Sequence, residues 1–390
     1  MKKKLVFFIG GLNFGGMERV VFIATELLKK EYDITIATLY QTEADYDVVA
    51  KLYDLNVPPK GGIINKIIVF IKRLIRTRKL KKELKPDIVY SFGMYSNYLN
   101  ALTKSKEKIV MGIRSYDWLT KPFTTSFIDK CIISKFDSIN SVSKLIAKDA
   151  EKIWGIPAEE NRVIYNPYDI KYIQNKALEN IEDYKFDKNK FYYVSMGRLS
   201  VQKGYEHLIR AFSIVEKEIG NVHLIIMGNG EKRKELECLV NKLGLTDKVD
   251  LLEGKKNPYK YVKQAQVYVM SSYTEGFPNA LVEAMCIGTP VVSVNCKSGP
   301  AEILYKTFKD SFEENFEFEV ADFGILTREM IFSDEEKINH QNENALAKGM
   351  IYAYLNRELM KELSVKAVGR ASEFTYDRFK KTLYEEVEAI

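Results

Sequence analysis

The chain has 390 residues, of which 46% are hydrophobic and 29% charged. A single hydrophobic core stops growing near ~250 residues, so we expect two globular domains rather than a disordered or fibrous chain. The net charge of +6, from 59 basic and 53 acidic residues, is too small to indicate a general nucleic-acid binder.

The cysteines and histidines argue against disulfide-stapled and zinc-bound classes. Four cysteines lie far apart without a CxxC pair: Cys131, Cys238, Cys286 and Cys296. This spacing is typical of a protein in a reducing compartment. With three histidines and no HExxH motif, we expect no transition-metal site.

The chain opens with three lysines before an apolar run, as a signal peptide does. The run at residues 5–9 is short, however, and no small-x-small cleavage site follows it. We therefore expect residues 5–9 to form a buried parallel strand. No run of ~18 apolar residues occurs, so we expect no membrane-spanning segment.

A glycine-rich loop, GGLNFGG, joins this strand to the next predicted helix. Glycines at such a junction let backbone N–H groups approach a phosphate at the helix N-terminus. Gly10, Gly11, Gly15 and Gly16 do not fit the GxGxxG pattern of dinucleotide-binding proteins, and Met17 stands where a P-loop needs lysine. An anion site and a plain tight turn are both compatible with this loop.

Residues 64–85, INKIIVFIKRLIRTRKLKKELK, combine apolar residues at helical spacing with nine basic residues and one acid. They lie in the part of the chain that holds the excess positive charge, since residues 1–170 carry a net charge of +9 and the remainder −3. One interpretation is a surface helix whose apolar stripe packs on its own sheet. The other is attachment to an anionic bilayer, where each Lys or Arg contributes ~1 kcal/mol.

Strand-like and helix-like runs alternate along the whole chain, as in parallel sheets covered by helices. The first series ends at YNPYDI, whose Asn-Pro breaks a helix and indicates a hinge near residues 167–171. A second series starts at FYYVSMGR. We predict a first domain over residues 1–168, a second over 169–372, and a C-terminal helix over 373–390 that returns to the first domain.

Two cations follow the first strand of the second series, in SMGRLSVQKGYEHLIRAF. Arg198 comes directly after the strand, and Lys203 precedes the next helix. Because open α/β sheets bind ligands at the carboxyl ends of their strands, this pair suits a diphosphate. Two ordinary solvated charges are the alternative.

Two glutamates stand eight positions apart in MSSYTEGFPNALVEAMCIGTPVV. We place Glu275 on a loop after a strand and Glu283 on the following helix. Carboxylates suit sugar and ribose hydroxyls because they accept hydrogen bonds and donate none. The loop between them can present backbone N–H groups at the helix start, and consists of Gly276, Phe277, Pro278 and Asn279.

At these residues the sequence resembles a known family. GRLSVQKGYEHLIRAF, IIMGNGE, EGFPNALVEAMCIGTPVVS and SGPAEIL are similar to the retaining family-4 glycosyltransferases of the GT-B fold. The Glu-x7-Glu spacing is the most specific of these motifs, and the resemblance extends to the GG loop and the Asn-Pro hinge. It implies an α/β fold of two Rossmann-like doubly wound domains that face each other across a cleft.

The resemblance also implies a role for each matching residue. A nucleotide-sugar donor would be held mainly by the second domain and a glycan acceptor mainly by the first. Arg198 and Lys203 would neutralise the leaving diphosphate, and Glu275 would hold the donor sugar, helped by backbone N–H groups of residues 277–279. Glu283 would bind the ribose. The other substrate-binding residues expected are Gly15, Gly16, Asn166, Gly228 and Gly230.

Neither a metal nor a cofactor is expected. Asp45 and Asp47 spell a DxD motif, the metal-binding signature of the other main glycosyltransferase fold, but they fall in a polar stretch away from any central strand. The resemblance implies metal-independent donor binding, so we attribute this motif to chance.

The first domain departs from the family pattern at GIRSYDW, where many members carry a histidine and this chain has none. Arg114 follows the strand KIVMGI at this point. Its guanidinium suits an acceptor phosphate or the donor sugar, or alternatively a structural ion pair with Asp117 or another acid. The sequence leaves open which first-domain residue contacts the reacting hydroxyl.

Together these features predict a cytoplasmic, retaining glycosyltransferase that uses a UDP-hexose or UDP-N-acetylhexosamine to extend a capsule, O-antigen or other surface polysaccharide. UDP follows from family frequency alone. A lipid-linked acceptor, with peripheral contact at the inner membrane face through residues 64–85, follows from family habit and the basic segment. Two alternatives remain: a GT-B sugar-nucleotide epimerase, and a non-enzymatic binder of nucleotide or glycan.

Overall fold

The computed structural model describes residues 2–12, 15–41, 50–120, 126–313, 315–331 and 340–390. The chain divides into two compact units. The first unit consists of Met1–Pro167 together with Tyr376–Ile390, and the second of Tyr168–Thr375. The division therefore falls within the YNPYDI segment, and the C-terminal residues belong to the first unit.

The first unit is built on a parallel sheet. Its strands are β1 (Lys4–Ile9), β2 (Asp33–Thr38), β3 (Lys51–Asp54), β4 (Ile88–Phe92), β5 (Lys108–Ile113), β6 (Ser138–Ser141) and β7 (Asn161–Val163). They lie in the order β3-β2-β1-β4-β5-β6-β7. β1 and β5 are buried along nearly their whole length, which explains why their sequences are continuous apolar runs rather than alternating ones.

The first unit also contains the helices α1 (Gly16–Leu28), α2 (Ile63–Leu84), α3 (Met94–Leu102), α4 (Asp117–Thr120), α5 (Ser126–Ile133), α6 (Lys144–Trp154) and, from the end of the chain, α15 (Tyr376–Ala389). α1 and α15 share one core with the sheet, in which Phe379, Leu383 and Val387 of α15 lie among the side chains of β1 and β4. The ends of α6 follow local chemistry, since the Ser143 hydroxyl caps its first turn and Gly155 ends it in the left-handed conformation.

The second unit repeats this plan. Its strands are β8 (Phe191–Met196), β9 (Val222–Met227), β10 (Val249–Leu252), β11 (Val267–Met270), β12 (Val291–Val294), β13 (Phe318–Val320) and β14 (Ile325–Thr327). They lie in the order β10-β9-β8-β11-β12-β14-β13, and the edge strand β13 is antiparallel to β14. Its helices are α7 (Ile170–Ala177), α8 (Tyr205–Ile219), α9 (Arg233–Lys242), α10 (Tyr259–Gln264), α11 (Asn279–Ile287), α12 (Pro300–Leu304), α13 (His340–Leu355) and α14 (Arg357–Ala371).

Both sheets have the strand order of a doubly wound fold, so the prediction of two Rossmann-like domains is confirmed. In each unit the order reverses beside the first strand, between β1 and β4 and between β8 and β11. Open sheets of this kind bind ligands at the carboxyl ends of the strands at that reversal. In the second unit this point is where the predicted Arg198, Lys203 and Glu275 follow β8 and β11.

Candidate functional site

The centre of the site is an ion pair between two predicted residues. Lys203 ends a short 3-10 turn after β8, and Glu275 lies on the loop after β11. The Lys203 Nζ atom lies 2.6 Å from Glu275 Oε1, and the Ser272 hydroxyl donates to the same oxygen at 2.7 Å. The other carboxylate oxygen, Oε2, makes no hydrogen bond with a described residue, so the pair keeps a hydrogen-bond acceptor for a ligand.

The surroundings keep this pair charged. The side chains of Lys203 and Glu275 are 24% and 11% exposed. Burial works against the Lys203 ammonium, but the Glu275 carboxylate and the Tyr205 hydroxyl outweigh it and raise the pKa of Lys203 above its ordinary value. Behind the pair, burial and the Glu275 charge raise the pKa of the Cys296 thiol, so this thiol stays neutral.

The space beneath the pair is narrow. A cavity of about 20 Å³, lined by Tyr205 and Tyr268 as well as by the pair, has room for a water molecule and not for a sugar. A ligand of the size of a sugar does not fit beneath the pair, so only the exposed side of Lys203 and Glu275 has room for one.

The two loops that carry the pair are bonded to each other. The Tyr273 backbone N–H donates to the Gln202 carbonyl at 2.9 Å, and the Gln202 side chain donates to the Thr274 carbonyl at 2.8 Å. The Ser271 hydroxyl donates to the Lys203 carbonyl at 2.9 Å. Gly204 permits this approach, because its φ is +59° and a Cβ there would lie 2.4 Å from the Ser271 carbonyl oxygen.

Hydrogen bonds and an aromatic contact hold the loop between the two glutamates in place. Glu275 N–H donates to the Lys297 carbonyl at 2.7 Å, and the Ser298 hydroxyl donates to the Gly276 carbonyl at 2.9 Å. Phe277 is buried against Phe374, and Asn279 Oδ1 accepts from the Tyr168 hydroxyl at 2.6 Å. These contacts fix the loop backbone relative to the start of α11.

One part of the predicted loop function is wrong. Pro278 has no backbone N–H and cannot donate to a ligand. Backbone donation from residues 277–279 is therefore restricted to Phe277 and Asn279.

Glu283 is buried on α11, where its Oε1 accepts from the Tyr259 hydroxyl of α10 at 3.2 Å. Tyr259 could not be predicted from the sequence, because its contact with Glu283 depends on how α10 packs against α11. A role for Glu283 in ribose binding stays a prediction.

Gly228 and Gly230 bring two strand-end loops together. A Cβ on Gly228 would lie 1.8 Å from the Gly197 carbonyl oxygen, and one on Gly230 would lie 2.2 Å from the Leu199 carbonyl oxygen. Only glycine allows this contact between the loops after β8 and β9. Arg198 lies between Gly197 and Leu199, and its exposed side chain makes no hydrogen bond or ion pair with any described residue.

In the first unit, Gly15 precedes α1 with extended backbone, and Gly16 is the exposed first residue of that helix. Asn166 is buried and precedes Pro167, the last residue of this segment of the first unit. The substrate-binding roles of these three residues stay predictions.

Arg114 is bonded to neutral groups. Its guanidinium donates to the Ile164 carbonyl at 2.9 Å and to the Tyr90 hydroxyl at 3.3 Å, and it lies 5.6 Å from the Phe92 ring centre. Within the described residues no acid is ion-paired with Arg114, so the alternative of a structural ion pair with Asp117 or another acid is not supported.

α2 differs from the packing interpretation. Its buried side is formed by Val69, Arg73, Thr77, Leu80 and Lys81, whereas its isoleucines are exposed. The exposed isoleucines are Ile63, Ile64, Ile67, Ile68, Ile71 and Ile75. Phe127 and Ile128 are likewise exposed on α5. No helix among the described residues is both long enough and apolar enough to cross a membrane.

No group of three His, Cys, Asp or Glu side chains within the described ranges could hold a metal ion. Asp45 and Asp47 of the DxD motif lie outside those ranges.

Comparison with known proteins identifies the family. The Glycosyltransferase Family 4 model matches residues 14–172, and the Glycosyl transferases group 1 model matches residues 177–316. An uncharacterized glycosyltransferase of Methanocaldococcus jannaschii is 31% identical over 331 residues, which cover 79% of this chain and 80% of that protein. The chain belongs to the family-4 glycosyltransferases.

Other relatives agree with this assignment. The N-acetylgalactosamine-N,N'-diacetylbacillosaminyl-diphospho-undecaprenol 4-alpha-N-acetylgalactosaminyltransferase of Campylobacter jejuni is 28% identical over 386 residues, covering 95% of this glycosyltransferase and 96% of that protein. Anabaena HepE, solved in complex with UDP, has a TM-score of 0.75 at 17% identity over the full length of both chains. The latter likeness shows that this glycosyltransferase has the GT-B fold.

Proposed function

We propose that this glycosyltransferase moves a hexose or N-acetylhexosamine from a UDP-sugar to a lipid-linked glycan acceptor, with retention of configuration, in the synthesis of a surface polysaccharide. The observation that carries the proposal is the Lys203–Glu275 pair at the strand-order reversal of the second unit. UDP is supported by the ligand of HepE, and a lipid-linked acceptor by the diphospho-undecaprenol substrate named for the Campylobacter relative.

The pair suits departure of a diphosphate from a sugar. Breaking the glycosyl–phosphate bond places positive charge on the sugar and negative charge on the leaving group. A lysine ammonium that is already fixed by a carboxylate and by the loop backbone stabilises the departing phosphate without reorganising. Arg198, exposed after the same strand, supplies a second cation for the diphosphate.

Glu275 is assigned to the donor sugar. Its Oε1 is occupied by Lys203 and Ser272, so Oε2 is the oxygen that accepts from sugar hydroxyls. A carboxylate neutralised in this way is a poor nucleophile, and Glu283 is engaged by Tyr259. Retention through a covalent intermediate needs a carboxylate nucleophile beside the anomeric carbon. The pairing of both glutamates favours instead a same-face substitution assisted by the leaving phosphate.

We assign contact with the membrane that carries the lipid-linked acceptor to α2. A helix that follows a parallel strand begins at the carboxyl edge of the sheet, so the isoleucine-rich first half of α2 lies toward the edge where α1 also begins. Exposed cations follow on its second half, including Arg78, Lys79 and Lys82. An anionic bilayer matches both halves, and it would bring a lipid-linked acceptor to the ligand-binding edge of the first unit.

The test starts with a screen of UDP-, GDP- and ADP-sugars for hydrolysis and for transfer to polyprenyl-diphosphate glycans. With the active donor, Lys203→Ala should lower kcat by about 10²–10³-fold, as loss of one leaving-group contact does. Glu275→Ala should abolish transfer and leave the UDP affinity, measured by calorimetry, nearly unchanged. Lys248→Ala is the matched control, because Lys248 is also ion-paired but precedes β10 at the opposite edge of the sheet.

Four results would contradict the proposal. Unchanged turnover in Lys203→Ala would show that Lys203 does not stabilise the leaving diphosphate. A large loss of UDP affinity in Glu275→Ala would contradict the assignment of Glu275 to the donor sugar. Conversion of the donor with no acceptor, or UDP binding without any turnover, indicates the epimerase or the non-enzymatic binder respectively.

A further inference from the structure

A chain of four side chains lies beside the Lys203–Glu275 pair and was not visible in the sequence. His207, in the first turn of α8, contacts Glu343 of α13 through Nδ1 at 2.9 Å and the Tyr273 hydroxyl through Nε2 at 2.5 Å. The Tyr273 hydroxyl also lies 2.9 Å from Glu206 Oε1. His207 is four residues after Lys203, and Tyr273 is two residues before Glu275.

The number of protons that these four side chains share decides the charge of His207. Each of the three contacts needs one proton between its two atoms. Ionised Glu343 and Glu206 supply none, and the Tyr273 hydroxyl supplies one. Burial and the Glu206 charge raise the pKa of Tyr273, so this proton stays on the phenol. With both carboxylates ionised, the other two protons have to come from His207, so the geometry points to an imidazolium that donates from both nitrogens.

The charges that face His207 agree with this count. Glu343 is buried on α13, and Glu206 adjoins His207 on α8. On the cationic side, Arg210 of α8 lies 3.6 Å from Glu343, and Lys232 interacts electrostatically with Glu206. Removing one proton from His207 leaves two carboxylates and only two protons for three contacts. One hydrogen bond of the chain must then break.

We propose that His207 is a positioning residue that holds the Tyr273 loop against α8 while it is an imidazolium, and that it thereby keeps Glu275 in contact with Lys203. Tyr273 is tied at both ends, because its backbone N–H is bonded to Gln202 and its hydroxyl to His207. Loss of the imidazolium proton releases the hydroxyl end and lets the segment that carries Glu275 move away from Lys203. The catalytic consequence rests on the proposed function of the pair.

The protonation state is tested without any substrate. The protein has three histidines, so the ring nitrogens of His207 can be assigned in a ¹⁵N spectrum by their absence from His207→Gln. Both nitrogens should carry protons at pH 7, and Tyr273→Phe should lower the pH at which the second proton leaves. A neutral ring at pH 7 would overturn the proposal, since the missing proton would then lie on a glutamate.

The positioning role is tested with the donor identified in the screen. His207→Gln and Tyr273→Phe should each lower kcat about tenfold with less than about threefold change in the donor KM, and the double variant should be no slower than the slower single variant. Wild-type kcat should fall as pH rises through the loss of the His207 proton, whereas His207→Gln should show no such fall.

His223→Gln is the control, because His223 contacts Asp250 on the neighbouring strand β10 and should keep the wild-type pH profile. A shared pH profile for wild type and His207→Gln, or additive effects in the double variant, would overturn the positioning role. If wild type turns over no nucleotide-sugar, the proposed function fails, and the ¹⁵N spectrum still decides the charge of His207.

Discussion

The ion pairs Lys81–Glu107 and Lys203–Glu275 have nearly the same N–O distance and different electrostatics. Lys81 of α2 lies 2.7 Å from Glu107, and Lys203 lies 2.6 Å from Glu275. The first pair is only 5% and 4% exposed. There burial outweighs the attraction of Glu107 and lowers the pKa of Lys81 to about 8, whereas the pKa of Lys203 is raised. The candidate site therefore keeps a permanent cation, and the structural pair does not.

The Lys81 pair predicts a pH dependence of stability. In the unfolded chain a lysine has a pKa near ~10.4, so between about pH 8 and pH 10 the unfolded state binds more protons than the folded state. The free energy of unfolding of the first unit should therefore rise over this interval, by up to about 3 kcal/mol from this group. Urea unfolding followed by tryptophan fluorescence measures it, because Trp118 and Trp154 both belong to the first unit.

The control is the double variant Lys81→Met with Glu107→Gln, which removes both charges and should remove this rise. At pH 7 the double variant should be about as stable as wild type, since a buried ion pair contributes little net stability. Equal pH slopes in wild type and the double variant would show that Lys81 stays protonated in the folded protein.

At the scale of elements, the exposed side of α2 gives a second prediction. Vesicles containing phosphatidylglycerol should bind the protein, and vesicles of phosphatidylcholine alone should not. Reversing the exposed charges Arg78, Lys79 and Lys82 to glutamate should weaken binding by about 10²-fold or more, at ~1 kcal/mol for each lost cation. Replacing Ile64, Ile67 and Ile71 by asparagine should also weaken it. Flotation at low and high salt measures both effects.

Charge reversal of Lys361 and Lys366, exposed on α14 of the second unit, is the matched control and should not change vesicle binding. Arg76 and Lys81 are unsuitable for the test, because Arg76 donates to the Asn56 carbonyl at 3.1 Å and Lys81 is buried. If vesicle binding is unchanged by both sets of substitutions, α2 does not bind the membrane. The exposed isoleucines would then be assigned to contact with another protein.

The elements themselves were largely predictable, because buried parallel strands are apolar runs and helices between them follow a period of 3.6 residues. The Lys203 and Glu275 positions followed from their place after β8 and β11. Their contact with each other did not, since it depends on how two loops 72 residues apart meet. The exposure of the α2 isoleucines could not be predicted from the sequence either, because helical spacing alone does not say which side of a helix is covered.

At the scale of the whole molecule, the first unit is discontinuous in the chain. Its core is completed by α15, which follows all of the second unit and buries Phe379, Leu383 and Val387. Glu386 of the same helix is paired with Arg162 beside β7 at 2.9 Å. The first unit therefore cannot close its core until the second unit has been synthesised, and its stability should depend on the end of the chain.

Leu383→Ala isolates this dependence. Truncating a fully buried leucine should lower the free energy of unfolding of the first unit by about 2–5 kcal/mol. In urea, the tryptophan fluorescence transition should move to lower concentration, while the far-UV circular dichroism transition of the second unit should stay in place. Val365→Ala on α14, where the valine is exposed, should move neither. If both transitions moved together in Leu383→Ala, the two units would unfold as one cooperative body and α15 would stabilise both.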